Sequence, residues 1–186
     1  PWSHQEGLYV VTFNDVTTLQ EEKEFFVHLA TTDTLTTLHN RAKLNEMLEF
    51  MVKKFTRYHD APFCVVMYDI DNFKHINDTY GHQVGDFILK ELSLLVSRNL
   101  RSSDFVARYG GEEFIIILPH TIVKDAVEIT QKLRLLIEKE QFSDLHITCS
   151  FGVYQFTIGD SVSSMIDKVD KLLYKAKENG RNRIEY

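Results

Sequence analysis

Apolar positions along the chain switch repeatedly between helical and strand spacing. Leu44, Met47, Leu48, Met51, Val52 and Phe55 fall on one helical face, and Asn40 stands where an N-cap belongs. Phe63–Tyr68 (FCVVMY) is an unbroken apolar run of strand length, the pattern of a strand covered on both faces. Val84, Phe87, Ile88, Leu92 and Leu95 mark a second helix. Phe105–Tyr109 and Glu113–Leu118 read as two strands with a turn at Gly110-Gly111, because tight hairpin turns need positive φ. Val123–Ile137 is another amphipathic helix, Ile147–Phe156 a strand, and Met165–Ala176 a last helix that Gly180 stops. This alternation predicts an α/β (α+β) sandwich around a mixed sheet.

The front of the chain is different. Leu8–Phe13 (LYVVTF) is a short β-like run with no partner strand near it in sequence. From Val16 the pattern turns helical, with Leu19, Phe26 and Leu29 approximating a heptad seam among Glu21, Glu22, Lys23 and Glu24. That suits a connector helix able to pair with its copy in a dimer. The polar run Thr31–Thr37 lacks periodicity and sets a boundary near Thr32, leaving 1–32 as a remnant and 33–186 as one domain.

Composition adds mainly exclusions. The chain has 186 residues, 44% hydrophobic and 26% charged, with 8 Gly and 3 Pro, which excludes disordered, collagen-like and rod-like descriptions. At roughly 100–200 residues per domain, two full domains would be crowded. The formal net charge of −6 argues against binding a nucleic-acid polymer or an anionic membrane through a general basic field. It leaves room for a local basic pocket for phosphates. Cys64 and Cys149 sit inside apolar runs with no C-x-x-C pair, as expected of buried free thiols in a reducing cytosol. No stretch approaches the ~18 apolar residues of a membrane span, and the start lacks a signal-peptide layout. Because the chain opens at Pro1-Trp2, it is expected to be a piece of a longer protein, whose membrane anchor could lie outside it.

Two constellations carry chemistry. Asp69-Ile70-Asp71 closes the central apolar strand, and carboxylates at i and i+2 project from the same side of a strand. Unpaired they repel, and a divalent cation such as Mg²⁺ resolves that conflict. Taken alone, D-x-D is better read as acidic residues that merely end a strand in solvent. The second is Gly110-Gly111-Glu112-Glu113-Phe114, acidic residues at a hairpin tip, which alone is only a solvated turn. If this hairpin neighbours the strand ending at Asp69, Asp69 and Glu112 could hold metal ions between them. Two-metal sites of that kind clamp the attacking and leaving oxygens of phosphoryl or nucleotidyl transfer.

Six spaced segments then carry a resemblance. Asp33–Arg41 (DTLTTLHNR), Asp69–His82 (DIDNFKHINDTYGH), Gly85-Asp86, Arg108–Phe114 (RYGGEEF), Ser150–Val153 (SFGV) and Lys177–Asn182 (KENGRN) follow in an order that resembles GGDEF domains, the diguanylate cyclase module of bacterial signalling. The resemblance implies a central, mostly antiparallel five-stranded sheet wrapped by helices, akin to adenylyl cyclase and polymerase palm domains. It implies condensation of two GTP into cyclic di-GMP with release of two pyrophosphates, at the interface of a homodimer with one GTP per half-site. Mg²⁺, or Mn²⁺ in its place, is implied at two ions per half-site, and the location is the bacterial cytoplasm, with no direct membrane contact in this chain. Thr37 stands where the resembled pattern has Gly, and Glu112 where it has Asp. Gly7–Thr18 resembles the exit strand of a PAS sensor domain.

By position, the resemblance makes Asp69, Glu112 and the carbonyl of Ile70 metal ligands, with Glu112 also helping to deprotonate the ribose 3′-hydroxyl, beside Glu113. Lys74 would neutralise charge on the phosphates, and Lys177 with Arg181 would bind them, four apart at a helix end. A cationic helix C-terminus is the plainer account of that pair. Asn77 and Asp86 would hydrogen-bond guanine with His82 nearby, while Gly110 and Gly111 let a phosphate approach the backbone. Arg101 and Asp104 match an R-x-x-D inhibitory site for the product, and Lys132 and Arg134 could add a cation there. A non-catalytic cyclic di-GMP receptor and a dimerisation module are the alternatives, and neither needs the full metal and triphosphate set.

Overall fold

The computed structural model describes residues 26–58 and 62–186. The expected strand at Leu8–Phe13 and most of the connector helix lie outside the described residues. Residues 26–31 are helical and end where the polar run begins.

From there the order is α1 (Arg41–Tyr58), β1 (Cys64–Ile70), α2 (Phe73–Tyr80), α3 (His82–Arg98), β2 (Phe105–Gly110), β3 (Glu113–Leu118), α4 (Val123–Lys139), β4 (Cys149–Gln155), α5 (Val162–Glu178) and β5 (Ile184–Glu185). They build one five-stranded sheet in the order β2-β3-β1-β4-β5. Pairs β2–β3, β3–β1 and β1–β4 are antiparallel, and β5 alone runs parallel to its neighbour β4. The mostly antiparallel five-stranded sheet wrapped by helices is thus present.

β1 lies at the centre and is buried along its whole length, which is why its sequence is a continuous apolar run. Its side chains alternate between two cores. Cys64, Val66, Tyr68 and Ile70 join Ile88, Leu92, Val96, Leu133 and Ile137 under α3 and α4. Phe63, Val65 and Met67 join Leu44, Leu48, Met165, Val169 and Leu173 under α1 and α5. Asn40 does cap α1, its Oδ1 accepting from Lys43 N at 3.0 Å. Both cysteines are free and buried; burial raises Cys64 to about 12 and pushes Cys149 up as well.

Three local features depart from the sequence reading. The hairpin turn is Gly111-Glu112, because Gly110 still pairs with Glu113 after a register shift between Arg108 and Gly110. Of the two glycines only Gly111 has positive φ, 53°. Secondly, α2 has no counterpart in the periodicity, since of its eight residues only Phe73 is buried. Thirdly, α5 ends at Glu178, so Arg181 is not on its face four residues beyond Lys177. Thr37, at the position where glycine was expected, has φ 59°, a left-handed conformation that strains a β-branched residue.

Candidate active site

The sheet brings the two acidic segments to one end. Asp69 is the penultimate residue of β1 and lies opposite Glu113, the first residue of β3, so the chain reversal at Gly111-Glu112 sits beside it. Asp69 is 4% exposed. Burial drives its pKa up to about 6, Lys177 opposes the rise, and the charges of Glu112 and Glu113 add to it. Glu113 is raised too, first by burial and then by Asp170 and Glu112, against Lys177 and Arg41. Lys177 Nζ closes the group at 2.8 Å from Asp69 Oδ2. Three carboxylates therefore share a partly desolvated corner with one close ammonium, an electrostatic deficit that a divalent cation fits. Among the described residues no three His, Cys, Asp or Glu side chains form a metal-ligand cluster by themselves. Of the three ligands the resemblance implies, the carboxylates of Asp69 and Glu112 are near enough to feel each other's charge, and Ile70 follows Asp69 as the last residue of β1.

Arg108 fixes the turn that carries Glu112. Its Nη2 and Nε donate to the Gly111 carbonyl at 2.7 and 2.9 Å, and its Nη1 lies 3.1 Å from Asp33 Oδ1. Burial works to raise Asp33, but hydrogen bonds from Thr36 and the Arg108 guanidinium outweigh it and hold the carboxyl below its usual range. Neither Arg108 nor Asp33 had an expected role, although both lie in the matched segments. Arg41 stacks on Tyr109 beside the turn, 4.3 Å from the ring centroid.

The second carboxylate of D-x-D does something else. Asp71 is 5% exposed and accepts from Ser150 Oγ and Thr148 Oγ1, each at 2.6 Å, and from Asn182 N at 3.0 Å. With its oxygens committed to β4 and the turn after α5, it braces the site and offers little to a metal.

On the other side of β1, α2 and α3 enclose Asn77. Its Oδ1 is buried without a hydrogen-bond partner and lies against Gly85, where a Cβ would come within 1.9 Å of it. Asp86 and His82 are exposed on the first turns of α3, and Lys74 is exposed on α2. Lys74 and Arg181 extend to solvent. Gly110 and Gly111 have open space where a Cβ would be. Arg101 and Asp104 form a turn on the approach to β2, where Asp104 Oδ2 accepts from the Arg101 backbone N–H at 2.9 Å, leaving the guanidinium exposed. The further cation expected from Arg134 is not available there, because its guanidinium is bonded to Glu138 and Asn182.

Comparison with known proteins identifies the family. The family described as "Diguanylate cyclase, GGDEF domain" matches residues 30–183. Response regulator PleD of Caulobacter vibrioides is 38% identical over 173 residues, covering 89% of this chain and 38% of PleD, so the chain spans well under half of that relative. The coiled coil and GGDEF domain of DgcB from Caulobacter crescentus, solved in complex with c-di-GMP, superposes with a TM-score of 0.87 at 30% identity, covering 91% of this chain and 92% of that one. The active GGEEF domain of a diguanylate cyclase from Vibrio cholerae gives a TM-score of 0.74 at 36% identity, covering 78% and 95%. This chain belongs to the GGDEF-domain family of diguanylate cyclases.

Proposed function

We propose that the chain is the catalytic domain of a diguanylate cyclase that joins two GTP into cyclic di-GMP, releasing two pyrophosphates. The observation that carries this is the corner where Asp69, Glu112 and Glu113 meet under one ammonium, Lys177. Asp69, Glu112 and the Ile70 carbonyl would hold Mg²⁺ or Mn²⁺, two ions per half-site. Such an ion eases deprotonation of a hydroxyl and neutralises phosphate charge. Glu112, on a turn held by Arg108, helps take the proton from the ribose 3′-hydroxyl of one GTP, with Glu113 beside it. The resulting oxygen bonds to the α-phosphorus of the opposing GTP as the bond to pyrophosphate breaks, and a second such step closes the ring. Lys74, Lys177 and Arg181 neutralise the triphosphate, and the glycines at 110 and 111 leave room for it. Asn77, Asp86 and His82 recognise guanine, whose N1 and N2 donors match the unpartnered Asn77 oxygen.

Since one domain presents one GTP, the reaction requires two copies face to face. Residues 1–32 are read as a PAS-like sensor remnant and connector helix serving that pairing, with the catalytic domain at 33–186 and the protein in the bacterial cytoplasm. Arg101 and Asp104 bind the product and restrain the enzyme. The described part has no helix long and apolar enough to cross a membrane.

The test is incubation of an enforced dimer with GTP and Mg²⁺, with chromatography of the nucleotides. Cyclic di-GMP should form, Glu112→Gln should abolish it with the melt intact, and Arg101→Ala should relieve inhibition by added product. No product from the wild-type dimer would refute the activity.

A further inference from the structure

Beyond the end of α5 the backbone takes three successive left-handed residues, Gly180 at φ 113°, Arg181 at 61° and Asn182 at 48°. Glycine adopts this freely, and the Gly180 and Arg181 amides close the helix on the Lys177 and Ala176 carbonyls. Two side-chain-bearing residues in that region need outside support. Asn182 supplies it through nearly every polar group it has. Its backbone N–H donates to Asp71 Oδ2 at 3.0 Å, its Oδ1 accepts from Arg134 Nη1 at 2.7 Å, and its Nδ2 donates to Glu138 Oε1 at 2.7 Å. Arg134 and Glu138 are themselves paired at 3.1 Å on α4.

Asp71 therefore joins two halves of the site. It follows directly on Ile70, and through Asn182 it holds the residue next to Arg181. Arg181, the residue before Asn182, uses only its backbone here and leaves its guanidinium in solvent.

We propose, on the cyclase reading above, that Asp71 and Asn182 are positioning residues: they set the phosphate-binding guanidinium of Arg181 relative to the carboxylate end of β1. Arg134 and Glu138 on α4 anchor that brace. The backbone of the turn is thereby pre-organised, so that only the Arg181 side chain remains to be ordered when a triphosphate arrives.

The test is a double-mutant cycle read by calorimetric binding of 3′-deoxy-GTP with Mg²⁺, a probe that lacks the nucleophile and needs no catalysis. Arg181→Ala should weaken binding about tenfold, and Asn182→Ala by a similar factor. The double variant should bind no more weakly than the weaker single one, because Asn182 acts only through Arg181. Arg134→Gln, which leaves the Asn182 residue itself unchanged but loosens its anchor on α4, should weaken binding about threefold alone and not at all in the Arg181→Ala background. It serves if Asn182→Ala does not fold. Multiplicative effects in the cycle, or wild-type affinity in folded Asn182→Ala and Arg134→Gln, would overturn the proposal. Wild-type affinity in Arg181→Ala would overturn it too, by removing the phosphate contact. If the unaltered chain binds no probe at all, it is the cyclase reading that fails.

Discussion

Gly85 lies in the first turns of α3 with ordinary helical φ, so alanine there should favour the helix by about 0.8–1.0 kcal/mol. The added Cβ would stand 1.9 Å from Asn77 Oδ1 and 3.2 Å from Phe73 Cζ. The ring must give a few tenths of an ångström, but the amide has to leave. Its departure costs the apo protein little, because Asn77 Oδ1 is buried without a partner, a state itself unfavourable by about 1–3 kcal/mol. Gly85→Ala should therefore melt within about 1 kcal/mol of the wild type or above it. Recognition should suffer instead. On the proposed guanine contact, losing one amide–base hydrogen bond of about 1–1.5 kcal/mol weakens GTP roughly tenfold and narrows the preference for GTP over ATP. Differential scanning fluorimetry and KM for GTP, with ATP as competitor, measure the two effects separately. An unchanged KM with an unchanged or raised melt would show that Asn77 does not read the base.

Further expectations concern stability. Asp69 has a folded pKa of about 6 against an ordinary 3.8, so folding disfavours its charged form. The penalty, on the order of 3 kcal/mol, is full above pH 6 and fades as pH falls toward 4. The metal-free domain should thus gain stability from pH 7.5 to 5, with Glu113 acting in the same direction. Urea melts of Asp69→Asn with the same slope would refute this. Tyr68→Phe removes a fully buried hydroxyl that has no partner and should stabilise by about 1 kcal/mol; a comparable loss in urea titration would contradict that. Thr37→Gly relieves a left-handed β-branched residue and, after the entropy glycine costs the folded state, should raise stability by about 0.5–1 kcal/mol. A lowered melting temperature would refute the strain.

The large elements were legible because each buries a long apolar face: β1 as a solid run, α1 and α5 by their spacing. What escaped is short. α2 buries one side chain and β5 has two residues, too little for any period to show. In the site, the pairing of Asp69 with Glu113 followed from two strands whose neighbourhood the sequence left conditional. The work of Asp71 was illegible, since its partners Thr148, Ser150 and Asn182 lie 77, 79 and 111 residues away. Arg181 was placed four residues from Lys177 at a helix end, and what the spacing did not show is that it lies in a left-handed turn beyond Glu178.

The bridge between Lys177 and Asp69 gives the acidic corner a counter-ion of its own. On the cyclase reading, an arriving dication does not add its full charge to that corner. Lys177, giving up Asp69 to such an ion, would be freed to meet the triphosphate's negative charge. Loading is then an exchange: the corner's charge rises by one unit rather than two, and the displaced ammonium passes to the substrate. Metal and nucleotide should therefore favour each other's binding, since each gives Lys177 or Asp69 the partner that the other has lost.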